Sequence, residues 1–244
     1  MDNVKQSNTI KNIITADKIQ EILDWGYNAA LNGLHGEKTC EELAKEYLSK
    51  QHSKDQLTNR RKAASQFAGW QIAKCTTTGF LLGIPGGPAM IATIPTDLAS
   101  TIYVQLRMIA TIAVIGGYDV NEDVVRSMVY CCMGGLSVSK ALKEAGILIG
   151  GKAALAGIKK IPGKALIAVN KKVGFRLLTK FGQKGVINLG KLVPVVGGVL
   201  GGSFNLAETA GLAKIARRQF IENIFDEEDG NFDDNAENEG VVDV

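Results

Sequence analysis

Residues 98–117 read LASTIYVQLRMIATIAVIGG, twenty positions whose single charge, Arg107, stands near the middle. The length matches a bilayer-spanning helix, so whether this stretch crosses a membrane or lies inside a folded domain decides the fold. Its eight Leu, Ile and Val residues favour insertion by about 2.4–4.8 kcal/mol, and a central arginine opposes it by about 2.5–3.5 kcal/mol. Ser100, Thr101, Gln105 and Thr111 oppose it further, so no isolated spanning helix is expected here. The wider apolar run over residues 89–115 is interrupted at Pro95 and stops at Gly116-Gly117-Tyr118-Asp119. Residues 186–204 pose the same question. Ten Val, Leu, Ile and Phe residues stand there against Asn188, Lys191 and the break at Pro194. A buried core helix is the favoured reading, with a shallow or re-entrant bilayer element as the alternative.

Outward from these runs, helix punctuation is frequent. Thr15 is placed to cap a helix that stops at Gly33. Thr39-Cys40-Glu41-Glu42 has the form of a capping box, and Ser53-Lys54-Asp55-Gln56 repeats it before a longer helix toward Leu82. Gly83-Ile84-Pro85-Gly86-Gly87-Pro88 is a break. Asn121 is placed to cap a helix closed by Gly134-Gly135. Further helices are broken at Gly150-Gly151 and Ile161-Pro162-Gly163, and a last one runs from about Phe204 to Phe225. No long period-two alternation occurs, so strands are at most a minority.

A hydrophobic content of 45% with 22% charged residues fits a chain that buries a core, and the 28 glycines mark caps or close helix contacts. The net charge of +3 hides an asymmetry. After Arg218 there is no base, while ten acids follow from Glu222 to Asp243. Residues 140–191 hold twelve bases and one acid, Glu144, a block that seeks an anionic partner. Beyond Asp226 the acidic tail is expected to be disordered, having too little apolar area to offset its ordering entropy. Cys40, Cys75, Cys131 and Cys132 form no CxxC and read as reduced core thiols. The opening Met1-Asp2-Asn3-Val4-Lys5 has no apolar signal region, so no secretory signal is expected, and with the reduced cysteines the expected location is cytoplasmic.

Motifs for catalysis or cofactors are weak. Gly146-Ile147-Leu148-Ile149-Gly150-Gly151-Lys152 has phosphate-loop spacing, but Ala153 replaces the Mg²⁺-binding hydroxyl and the preceding residues look helical. His35 and His52 are the two histidines, too few for a metal cluster or a nucleophile–base pair. No cofactor, metal or catalytic residue is therefore expected. Gly197, Gly198, Gly201 and Gly202 form overlapping GxxxG spacings that allow close helix packing, within the chain or against a second copy.

Two groups of residues are candidate sites. Asp97, Arg107, Asn205 and Glu208 are polar residues inside apolar stretches. Charges buried there should pair, so a core network is expected in which Arg107 meets Glu208 or Asp97. A small-ligand-binding or hydrolytic pocket built from the same four is the alternative. The second group is Lys152, Lys159, Lys160, Lys164, Lys171 and Lys172 in the basic block. Lysine outnumbers arginine there eleven to one. That ratio argues against nucleic-acid base readout, which favours the arginine fork, and for anionic lipid headgroups or an acidic protein surface. Ile147, Leu148, Ile149, Leu155, Ile158 and Ile161 interleaved with these lysines suggest an interfacial surface.

Ile94-Pro95-Thr96-Asp97-Leu98, Leu106-Arg107-Met108-Ile109-Ala110 and Gly117-Tyr118-Asp119, in that order, resemble the first signature of the EcsC family. Leu192-Val193-Pro194-Val195-Val196-Gly197, with Gly201 and Asn205, is similar to its second. Thr96 stands where a smaller residue such as Ala is expected. The resemblance covers roughly residues 60–225. It implies a bacterial helical protein, cytosolic or membrane-associated, named for an operon that also encodes an ABC transporter. It implies no established reaction and no catalytic residues.

The resulting expectation is an all-α, multi-helix single domain over residues 59–225 with closely packed, glycine-rich apolar helices. A helical N-terminal extension over residues 1–58 precedes it, and the disordered tail over residues 226–244 follows. The expected role is non-enzymatic and peripheral at the inner membrane face, accessory to transport or envelope processes, with the tail competing for the lysine block.

Overall fold

A computed structural model describes residues 16–34, 36–76, 96–144, 161–181 and 197–225, together with Gly146. Among these residues the helices are α1 (Ala16–Asn32), α2 (Cys40–Ser49), α3 (Gln56–Thr76), α4 (Thr96–Gly116), α5 (Asp123–Met133), α6 (Val138–Glu144), α7 (Gly163–Phe181) and α8 (Gly197–Phe220). No strand occurs among the described residues, and the helices form a single all-α domain.

Helix α4 is the axle. Every residue from 102 to 113 is buried, because α1, α2, α3, α5 and α8 all pack against it. A helix apolar on every side is stable only when neighbours cover every side, and this arrangement supplies them. Among the described residues no helix is long and apolar enough to cross a membrane. Residues 186–196 lie outside the described residues, so the bilayer question for that stretch does too.

Helix α1 turns one stripe, Ile19, Ile22, Leu23, Tyr27 and Ala30, into the core, at the three- and four-residue spacing of a helix face. It shares one continuous hydrophobic core with residues as distant as Phe220 and Phe225. Helices α1 and α2, which fall in the part read from sequence as an extension, thus contribute to the same core as the rest. The α1–α5 contact is also polar. Tyr130 Oη donates to Asp24 Oδ1 at 2.6 Å, Tyr27 Oη donates to the Val120 carbonyl at 2.7 Å, and the two rings meet edge to face at 5.6 Å.

The capping box at α2 forms as its sequence predicts. Thr39 Oγ1 accepts from the Glu42 amide at 3.1 Å, and Glu42 Oε2 accepts from the Thr39 amide at 2.8 Å. At α3 the cap shifts from the expected Ser53 to Asp55, whose carboxylate accepts from the Thr58 amide at 2.8 Å and the Leu57 amide at 3.3 Å. A carboxylate next to the first turn outcompetes a hydroxyl two residues earlier, since it meets the exposed amides with a full charge. At α5 Asn121 is not the cap: Glu122 holds that position without a side-chain bond, and Asp119 instead ties the Asn121 amide at 2.9 Å. Gly135, at φ 69°, closes α5 in the left-handed region, where its amide reaches the Cys132 carbonyl at 2.8 Å. Pro162 and Gly163 open α7 where the sequence breaks. Helix α8 starts at Gly197 and ends at Phe220, earlier at both ends than expected. Its end is set by Asn223 in the left-handed region (φ 53°), whose Oδ1 accepts from Tyr118 Oη at 2.6 Å.

Candidate functional site

Arg107 is 5% exposed on the face of α4 that meets α1. Its Nη1 donates to the Ala30 carbonyl at 3.2 Å and to Tyr103 Oη at 3.1 Å, and its Nη2 donates to the Lys38 carbonyl. Glu37 Oε2 lies 3.8 Å from Nη1 and also accepts from Tyr103 Oη. A guanidinium thus satisfies the last turn of α1 and the turn leading into α2, where helix carbonyls have no partner of their own and the dipole favours a cation. Gly33 (φ 75°) and Gly36 (φ 82°) shape that turn. Burial, followed by the bond to Glu37, pushes the Tyr103 hydroxyl well above its ordinary pKa.

The expected pairing of Arg107 with Glu208 is not made. Glu208 Oε1 accepts from Gln105 Nε2 at 3.4 Å, and the same amide donates to Thr209 Oγ1 at 3.1 Å. Gln105 and Arg107 are two residues apart, about 200° around a helix, so one faces α8 and the other faces α1. Glu37, from a loop 70 positions upstream, is the carboxylate beside Arg107, and nothing in its local sequence marks it. The side chains of Asp97 and Asn205 lie outside the described residues, as do the packing contacts of Gly197, Gly198, Gly201 and Gly202. Among the described residues no group of three or more His, Cys, Asp or Glu side chains gathers as a metal site. A void of about 10 Å³ bordered by Met128, Leu142 and Val169 has room for about one water. The Arg107 cluster has the geometry of a structural clasp.

Cys40, Cys131 and Cys132 are buried and form no disulfide. Cys40 Sγ donates to the Ala30 carbonyl at 3.0 Å, beside Arg107, and burial pushes its thiol up to about 11 from 9.0. The unfolded chain then loses this proton first, so between about pH 9 and 11 it binds fewer protons than the folded chain and stability falls as pH rises. The expected loss from Cys40 is about 2–3 kcal/mol at 1.36 kcal/mol per pKa unit. Urea midpoints measured from pH 8 to 11 check this, and Cys40→Ala should flatten the slope.

The basic block is different in kind. Helix α7 buries Val169, Val173 and Leu177 against the core, and Arg176 Nε fastens it by donating to the Gly134 carbonyl at 2.8 Å. Lys164, Ile167, Lys171, Lys172 and Phe175 are all exposed. At 100° per residue they occupy an arc of about 140° opposite the buried stripe. Ile167 is 70% exposed and Phe175 60%. They are eight residues apart, about 12 Å along the axis. Neither is among the apolar residues that the sequence suggests for an interfacial surface. Of those that are, Ile161 packs against the core, and Ile147, Leu148, Ile149, Leu155 and Ile158 lie outside the described residues. Lys152, Lys159 and Lys160 lie outside them as well. The period of α7 carries apolar residues on both faces, so sequence alone does not reveal which set turns inward.

Comparison with curated proteins and with solved structures finds no match. A family model does match: that of the EcsC protein family, over residues 4–221. The match reaches past the two motif blocks to take in α1, α2 and Glu37, so both ends of the Arg107 clasp fall inside it. The chain belongs to the EcsC protein family.

Proposed function

We propose that the chain is a non-enzymatic, peripheral membrane-surface protein that lays α7 against anionic lipid. The observation that carries this reading is the exposure of Ile167 and Phe175 between Lys164, Lys171 and Lys172 on one helix face. Large apolar side chains flanked by lysines are the pattern of a helix that lies in the plane of the headgroups. Three lysines near an anionic surface contribute about 3 kcal/mol. Part-burial of one isoleucine and one phenylalanine adds about 2–3 kcal/mol. The sum corresponds to dissociation constants in roughly the 0.1 mM range, which describes reversible attachment. The family's link to a transporter operon supports an accessory role in transport or envelope processes.

Co-sedimentation with vesicles tests the proposal. The full-length chain should pellet with phosphatidylserine-containing vesicles at low salt, release at high salt, and ignore neutral vesicles. Ile167→Ser with Phe175→Ser should weaken pelleting about tenfold to a hundredfold, corresponding to about 1.4–2.8 kcal/mol, with an unchanged thermal midpoint because both side chains face outward. Equal pelleting with neutral and anionic vesicles, or none with either, overturns it.

A further inference from the structure

Resting on the membrane reading of α7, we infer that residues 226–244 are an intramolecular competitor for the same face, docked on it in the free protein and displaced by anionic lipid. The root of this segment is fixed. Phe225 is buried and its carbonyl accepts from Ser139 Oγ. Ser139 lies on α6, beside the exposed Lys140 and one turn before the exposed Lys143, and α6 packs directly on α7. The 19 residues that follow Phe225 in the 244-residue chain therefore start next to the lysine face. Fully extended they span at most about 65 Å, whereas the 19-residue α7 is about 28 Å long, so every part of the face is within reach.

Charge and pattern match as well. Of the ten acids after Arg218, Glu222 is held by Arg61, with Nε–Oε1 at 2.7 Å. The other nine, Asp226 onward, are accompanied by no lysine or arginine. They run as an acidic cluster (Asp226, Glu227, Glu228, Asp229), an aromatic (Phe232) and a second acidic pair (Asp233, Asp234). The α7 face alternates in the same way: Lys164, then Ile167, then Lys171 and Lys172, then Phe175. A tethered segment competes at an effective concentration on the order of 1 mM, enough to hold a weak electrostatic contact that a membrane, presenting many charges at once, can displace. The contact weakens as the Debye length shrinks.

Three forms of the chain test this: full-length, a chain ending at Phe225, and a full-length chain carrying Asp226→Asn, Glu227→Gln, Glu228→Gln and Asp229→Asn. Each is titrated with phosphatidylserine-containing vesicles after its thermal midpoint is matched to the parent. Both altered forms should bind about tenfold more tightly at low salt, and the gap should close near 0.5 M salt. Carbodiimide cross-linking of the lipid-free full-length chain should join a tail carboxylate to Lys164, Lys171 or Lys172, and added vesicles should abolish that cross-link. Equal binding by all three forms, or cross-links confined to other lysines, overturns the competition and leaves the membrane reading standing. If no form pellets and the cross-link still occurs, the membrane reading fails, and with it displacement by lipid.

Discussion

Arg107→Ala is expected to lower the stability of the fold by about 3–4 kcal/mol, read as a fall in the urea midpoint at unchanged slope. The reason lies in what the guanidinium leaves behind. The buried carbonyl of Ala30 and the part-buried carbonyl of Lys38 lose their charged donor, and a buried orphan costs about 1–3 kcal/mol. The Ala30 carbonyl keeps the weak Cys40 thiol donor, which places the total below the sum of two full penalties. Glu37 is partly exposed and recovers water, so the variant does not strand a buried anion. Arg107→Lys keeps the charge but replaces a planar fork with a single point donor, and about half of the loss should remain. Glu37→Gln should cost less than about 1 kcal/mol, in line with a partly solvated ion pair. If Arg107→Ala costs no more than Glu37→Gln, the clasp is not what joins α1 to α4.

Gly116→Ala should destabilise by about 3 kcal/mol, at the upper end of overpacking costs. A Cβ at this position would stand 2.1 Å from the Phe220 carbonyl oxygen and 2.9 Å from its carbon. Both atoms belong to backbone at the end of α8, where no rotamer change can relieve the clash. Retreat of α4 is blocked as well, because the Gly116 carbonyl accepts from Arg60 Nη1 at 2.9 Å, and Tyr118 stacks edge-on against Phe220 at 5.1 Å. The control is Gly69→Ala inside α3, where an added Cβ meets nothing within 4 Å. That substitution should raise stability by about 0.5–1 kcal/mol through helix propensity. Opposite signs for two Gly→Ala changes in one protein, measured by the same denaturation, would establish that close approach sets the requirement at Gly116.

The all-α class and most helix positions were legible because they rest on local signals. Thr39 with Glu42, Gly33 after α1, and Pro162-Gly163 before α7 each act within one turn. The status of α4 was legible for a different reason: one arginine and several polar residues were enough to offset membrane insertion. What failed was anything that depends on which residues meet across the fold. Arg107 required a carboxylate, and the sequence offered Glu208, which turns toward α8 instead, and Asp97, whose side chain lies outside the described residues. Glu37 sits in an ordinary polar turn and becomes its partner only once α1 and α2 fold around α4. The end of α8 was placed at Phe225 because the apolar residues continue to that point. Asn223 in the left-handed region, held by Tyr118 from 105 positions away, stops the helix sooner. On α7 the lysines announced a charged face, but the exposed Ile167 and Phe175 could be told from the buried Val169 and Val173 only after the core was assembled.

The clasp at Arg107 also sets a timetable for the newborn chain. Helix α1 is complete at Asn32, but the helix that covers its apolar stripe ends at Gly116, 84 residues later. At synthesis rates of about 5–20 residues per second, Ile19, Leu23 and Tyr27 emerge from the ribosome several seconds before α4 can shield them. During that interval α1 lacks the cover of α4, and its packing against α7 comes later still. A chaperone can shield α1 during this delay, and slowing translation between α1 and α4 should increase aggregation.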